Sequence, residues 1–98
     1  MAQVTIVYWR DIPAQVIVGK GRSAVKLPLA ERFEQAIDRA AMKSGATGTD
    51  AYLADWRKAD PVELEGDDRP AAEAMAARIE ADYDDGRLKV LIGNEGRA

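Results

Sequence analysis

The sequence predicts an α+β fold: an antiparallel three- to four-stranded sheet with three helices packed on one face. Three observations carry that prediction. Residues 4–18, VTIVYWRDIPAQVIV, set two runs rich in β-branched and aromatic residues on either side of a short charged break, the pattern of a hairpin. From Leu29 the apolar spacing lengthens to that of a helix. The length of 98 residues suits a single domain, residues 1–98, with one modest core.

Val4 to Trp9 is so uniformly apolar that it reads as an interior strand covered on both faces. Pro13 lacks an N–H and pushes Ile12 toward extended geometry, so the ladder lapses around Asp11 to Pro13 and resumes at Ala14 to Val18. GKGRS makes a second turn, and AVKL adds a third short strand stopped by Pro28, which completes a meander over about residues 3–28. A first helix over about 29–44 follows, with Leu29, Phe33, Ile37, Ala40 and Ala41 on its apolar side and Gly45 as its C-terminal cap. Thr47 or Thr49 caps a second helix over about 49–58, whose one side carries Tyr52, Leu53 and Trp56.

PVELEGDDRP reads as an acidic surface loop. The third helix, over about 69–84, has Pro70 in its first turn, Asp67 and Asp68 at its positive end, and Ala72, Met75, Ala76, Ile79 and Tyr83 as its stripe. Gly86 is its expected cap. RLKVLIG is too short for its period to separate strand from helix; the expectation is a fourth strand over about 87–92, with NEGRA fraying after it.

Composition excludes more than it assigns. There is no cysteine and no histidine, which removes disulfides, thiolate nucleophiles, imidazole bases and the usual zinc ligand sets. No catalytic residue, metal site or cofactor is predicted. A net charge of -3 argues against a nucleic-acid partner. The N-terminal run meets Arg10 without a basic leader or a membrane-length apolar segment, so a cytoplasmic protein that stays off membranes is expected. Lys20, Arg22 and Lys26 form a short basic stretch, whereas the C-terminal half is loaded with acids, an asymmetry that a partner can use.

Three clusters are candidate ligand or partner sites, and each has a plain structural reading beside it. Tyr8, Trp9, Arg10 and Asp11 end a strand and offer an aromatic and guanidinium platform for an anionic ligand; equally, Asp11 and Arg10 simply close a hairpin. Tyr52, Trp56 and Arg57 are the residue types that anchor interfaces; equally, Trp56 fills a small core. Lys20 and Arg22 in GKGRS could help backbone N–H groups hold a phosphate, although the stretch lacks the spacing of a P-loop or a dinucleotide fingerprint and reads as a hairpin turn. The acidic pairs Glu63/Glu65, Asp67/Asp68 and Asp84/Asp85 match no calcium loop and read as solvated surface.

The blocks YWRDIPAQV, AIDRAAM and TDAYLADWR, in that order, resemble a small bacterial family labelled virulence factor, over most of residues 3–60. Stand-alone members of this length occur in alphaproteobacteria, and a related domain lies in longer conserved virulence factor proteins between a NifU-like N-terminal region and HEAT-like repeats. The family brings no catalytic residues to transfer. Through neighbouring genes of folate-linked and corrinoid-dependent methyl transfer, the resemblance implies an accessory role in one-carbon metabolism. Two functions are therefore expected to compete. The favoured one is a non-enzymatic accessory or protein-interaction module, docking a partner or a second copy on the open sheet face or the Trp56 helix. The other is a small anion-binding or folate- or corrinoid-linked accessory enzyme that uses the Arg10–Asp11 and GKGRS turns.

Overall fold

The β-branched and aromatic run near the N-terminus forms the strand on which the rest of the sheet is built. The computed structural model describes residues 2–19, 24–45 and 48–98. In chain order they form β1 (Ala2–Trp9), β2 (Ile12–Val18), β3 (Val25–Pro28), α1 (Glu31–Ser44), α2 (Thr49–Ala54), β4 (Trp56–Lys58), β5 (Val62–Leu64), α3 (Asp68–Asp82) and α4 (Asp85–Gly93). The sheet is antiparallel throughout and runs β3-β2-β1-β4, with β5 pairing the other half of the same β1 edge as β4. β1 is the interior strand that its composition predicts.

Val4 stands opposite Val18 and Ile6 opposite Val16, and these residues turn toward the helices. They meet Phe33, Ala36, Ile37 and Ala40 of α1 and Ala72, Met75, Ala76 and Ile79 of α3 in one core. α4 joins that core through Leu88 and Leu91. Arg32 on α1 ties the layers together: its guanidinium donates to the Glu80 carbonyl at 2.7 Å and also to that of Tyr83, at the end of α3 where carbonyls lack helical partners.

Several expectations change. RLKVLIG is helical, because Asp84 caps α4 by accepting the Arg87 N–H at 2.8 Å and because Leu88 and Leu91 then share its buried side. Gly86 consequently lies inside α4, and α3 ends at Tyr83 instead. The second helix stops at Ala54, and Trp56–Lys58 becomes β4, its aromatic start paired with Trp9. Gly48, not a threonine, occupies its N-cap; Thr47 lies outside the described residues, as do Lys20 to Ser23. The acidic loop holds β5, which pairs Ala2–Val4. Gly45 caps α1 in the left-handed conformation, φ 79, as its position predicts.

The far face of the sheet is not the apolar surface expected from Val4 to Trp9. Gln3, Thr5 and Val7 turn that way; Glu63 pairs with Gln3, Gln15 and Lys58 pair with Val7, and Ile17 pairs with Thr5 on one side and Lys26 on the other. Among the described residues the large apolar side chains most open to solvent are Met42, Leu53, Val62 and Val90, none of them on β1, β2 or β3.

Candidate functional site

Trp9 pairs with Ile12, which leaves Arg10 and Asp11 as a two-residue turn. Arg10 adopts φ 53, a left-handed conformation that disfavours a residue with a Cβ by roughly 1–2 kcal/mol. Its partners hold it there. The Arg10 backbone N–H donates to the Asp55 carbonyl at 3.0 Å, its Nε donates to Asp55 Oδ2 at 3.0 Å, and its Nη1 donates to the Glu95 carbonyl at 2.6 Å. The guanidinium also lies 4.8 Å from the centre of the Trp9 ring.

Asp11 is engaged just as fully. Its carboxylate accepts from Arg57 Nη2 at 3.1 Å and from the Ala98 N–H at 2.6 Å, while its own N–H donates to the Gly96 carbonyl at 2.8 Å. NEGRA is therefore not frayed: it folds back over the turn. Glycine at 96 is required there, since φ is 88 and a Cβ would come within 2.9 Å of Trp9 Cζ3. Arg10 and Asp11 thus close the hairpin end, with their partners supplied by α2, β4 and the tail rather than by each other.

Trp9 is fully buried and fixes the second cluster. Its indole N–H donates to the Tyr52 carbonyl at 2.9 Å, and the two rings stack with centroids 5.9 Å apart. Tyr52 in turn meets Trp56 edge-on, at 5.8 Å and an interplanar angle of 83°. Beside these rings opens a hollow of about 330 Å³, walled by Leu29, Ile37, Tyr52 and Trp56 and edged by the Glu34 and Asp38 carboxylates. Burial raises the Tyr52 phenol above its ordinary value of 10.0, and the negative charges of Asp38 and then Glu34 raise it further.

A second hollow, of about 270 Å³, contains Tyr8, Arg57, Tyr83 and Arg87 with Asp11 at its side. Arg57 lies over the Tyr8 ring at 4.6 Å and Arg87 over the Tyr83 ring at 4.0 Å. Burial raises the Tyr8 phenol above 10.0; Tyr83 and Asp11 add to this, while Arg57 and Arg87 oppose it. A third, of about 200 Å³, lies between α1 and α4 and is lined by Arg32, Arg39, Lys89 and Asp85.

The fold thus gathers Tyr8, Trp9, Arg10, Asp11, Tyr52, Trp56 and Arg57 at one end of the sheet. Lys20 and Arg22 lie outside the described residues.

Sequence reasoning missed Glu34, Asp38, Tyr83 and Arg87. A signal for the first two was present: they are like charges at i,i+4 with no basic residue at helical spacing from either, a pairing that mildly destabilises a helix. Among the described residues no three acidic side chains gather as metal ligands would, and no helix is long and apolar enough to cross a membrane.

A family model described as Virulence factor matches residues 7–92, a span that includes Tyr8 to Asp11, Glu34, Asp38, Tyr52, Trp56, Arg57, Tyr83 and Arg87. No curated protein and no solved structure matches the chain.

Proposed function

The chain belongs to the Virulence factor family, and from that premise we propose that it is a non-enzymatic accessory module of the cytoplasm that docks another protein at the Tyr52–Trp56 hollow. One observation carries this reading: two half-exposed aromatic rings, held rigidly from below by Trp9, stand open beside two carboxylates that make no ion pair among the described residues. Preformed aromatic surface of this kind dominates interface energetics. Leu53, next to Tyr52 on α2, and Met42, one turn beyond Asp38 on α1, are exposed apolar side chains on the same two helices.

The reading is tested by comparing stoichiometric complexes captured by the wild-type chain with those captured by Trp56→Ala and Leu53→Glu. A complex lost in both variants and retained in Arg87→Ala supports docking at the hollow. One that survives both, or the absence of any stoichiometric complex, overturns it.

The second hollow favours a different reading, a small anion-binding or folate- or corrinoid-linked accessory enzyme. Its support is the pair of guanidinium groups, Arg57 and Arg87, beside two tyrosines. Arg10 does not line this hollow; its Nε and Nη1 donate to Asp55 and to the Glu95 carbonyl, and Arg57 likewise donates to the Arg10 carbonyl and to Asp11, which leaves Arg87 as the hollow's principal cation. Calorimetric titration with inorganic phosphate and with a reduced folate tests it: saturable binding abolished by Arg87→Ala would favour this reading over the first.

A further inference from the structure

The hollow beside Tyr52 and Trp56 has the chemistry of a cation receptor. Its two rings meet nearly at right angles, at 83°, so one presents a face where the other presents an edge. The faces of such rings are electron-rich and attract an organic cation, and Trp is the best of them. Neither ring is free to collapse: Tyr52 is stacked on Trp9 and its carbonyl is held by the Trp9 indole at 2.9 Å, while Trp56 belongs to a strand paired with Trp9.

The carboxylates complete the argument. Glu34 and Asp38 lie one turn apart on α1, edge the same hollow, and make no ion pair with any cation among the described residues. Asp11, Asp55 and Asp85, by contrast, each have an arginine, and Glu34 and Asp38 are both exposed to solvent. A charge left without a partner at the mouth of an aromatic-walled hollow is complementary to a positive group that the chain itself does not supply. Burial first, and then the charges of Asp38 and Glu34, raise the Tyr52 phenol, in keeping with both carboxylates lying close to that ring.

Building on the docking role above, we propose that this hollow receives the guanidinium of an arginine side chain presented by an extended segment of the partner protein. Arginine is preferred to lysine because its planar, weakly hydrated fork stacks on an aromatic face while pairing with a carboxylate at its edge. The volume of about 330 Å³ exceeds what one such group fills, leaving room for an aliphatic neighbour against Leu29 and Ile37.

The test uses two peptides, acetyl-Ala-Leu-Arg-Leu-Ala-amide and the same peptide with citrulline, which keeps the shape of arginine and loses its charge. Binding is followed through the Trp56 indole N–H resonance of the whole chain. The arginine peptide is expected to bind at least tenfold more tightly than the citrulline peptide, and the Glu34→Gln, Asp38→Asn double variant is expected to abolish that preference while leaving the folded spectrum intact. Equal affinities, a preference that survives in the double variant, or no movement of the Trp56 resonance at millimolar peptide overturns the proposal. If capture of a partner still depends on Trp56 and Leu53 in that event, the docking role stands and only the arginine assignment falls; if the peptides behave as expected but no partner is captured, the reverse is true.

Discussion

The hairpin turn at Arg10–Asp11 and the hollow at Tyr52–Trp56 lie on either side of the Trp9 indole, yet they treat charge in opposite ways. At the turn every ionic group is bound within the molecule: Arg10 to Asp55 and Glu95, Asp11 to Arg57 and Ala98. At the hollow, Glu34 and Asp38 lie beside two aromatic rings and make no ion pair among the described residues. Charged residues therefore close the structure in one place and are left without an ion pair among the described residues in the other.

Removing the indole should break both regions at once. Trp9→Ala deletes a fully buried side chain that supports Tyr52, Arg10 and Gly96, and is expected to destabilise the fold by about 3–5 kcal/mol, read by chemical denaturation. Next in size, Gly96→Ala forces a Cβ against Trp9 at φ 88 and is expected to lower stability by about 2 kcal/mol or more.

The turn alone is probed by Arg10→Ala, which removes a part-buried ion pair and a bond to the Glu95 carbonyl; a loss of about 1–2 kcal/mol is expected. Arg10→Gly removes the same contacts but relieves the left-handed strain, so it should lose about 1 kcal/mol less than the alanine variant. Equal losses would show that the strain is not real. Neither variant should change peptide binding at the hollow.

At the hollow the sign reverses. Glu34→Gln with Asp38→Asn removes a like-charge i,i+4 pair and is expected to raise the midpoint of thermal unfolding slightly, by the equivalent of roughly 0.2–0.5 kcal/mol, while weakening the arginine peptide. A clear loss of stability would mean that those carboxylates have internal partners after all. Smallest is an alkaline effect. The Tyr52 phenol is raised in the folded chain, so the folded state holds its proton more tightly than the unfolded state, and stability falls as pH climbs past 10.0 toward the folded value. Tyr52→Phe should make that fall shallower in a pH series of denaturation midpoints.

Much of the fold was legible because its signals are local. The interior position of β1 follows from an apolar run without polar alternation, α1 from its spacing, and the Gly45 cap from one residue type. What was not legible depended on distant partners. RLKVLIG became a helix through the Asp84 cap and through the packing of Leu88 and Leu91 in the shared core, and a short apolar run does not announce that choice. β4 and β5 are three-residue segments that exist only because β1 offers them an edge. For the site, the aromatic and basic residues stood out by type, whereas Glu34 and Asp38 looked like the ordinary wet side of a helix until the fold set Tyr52 and Trp56 beside them.

The clasp of the tail over the first hairpin has a kinetic consequence. The Arg10–Glu95 bond joins positions 85 residues apart, so forming it closes a loop almost as long as the chain. Closing such a loop carries a large entropic penalty before any contact rewards it. Local helices and the β1–β2 hairpin can form in microseconds, but the Trp9 indole reaches its final environment only when residues 95 and 96 arrive. Tryptophan fluorescence should accordingly lag behind far-ultraviolet circular dichroism during refolding, with the clasp among the last contacts made and the first released when the protein begins to unfold.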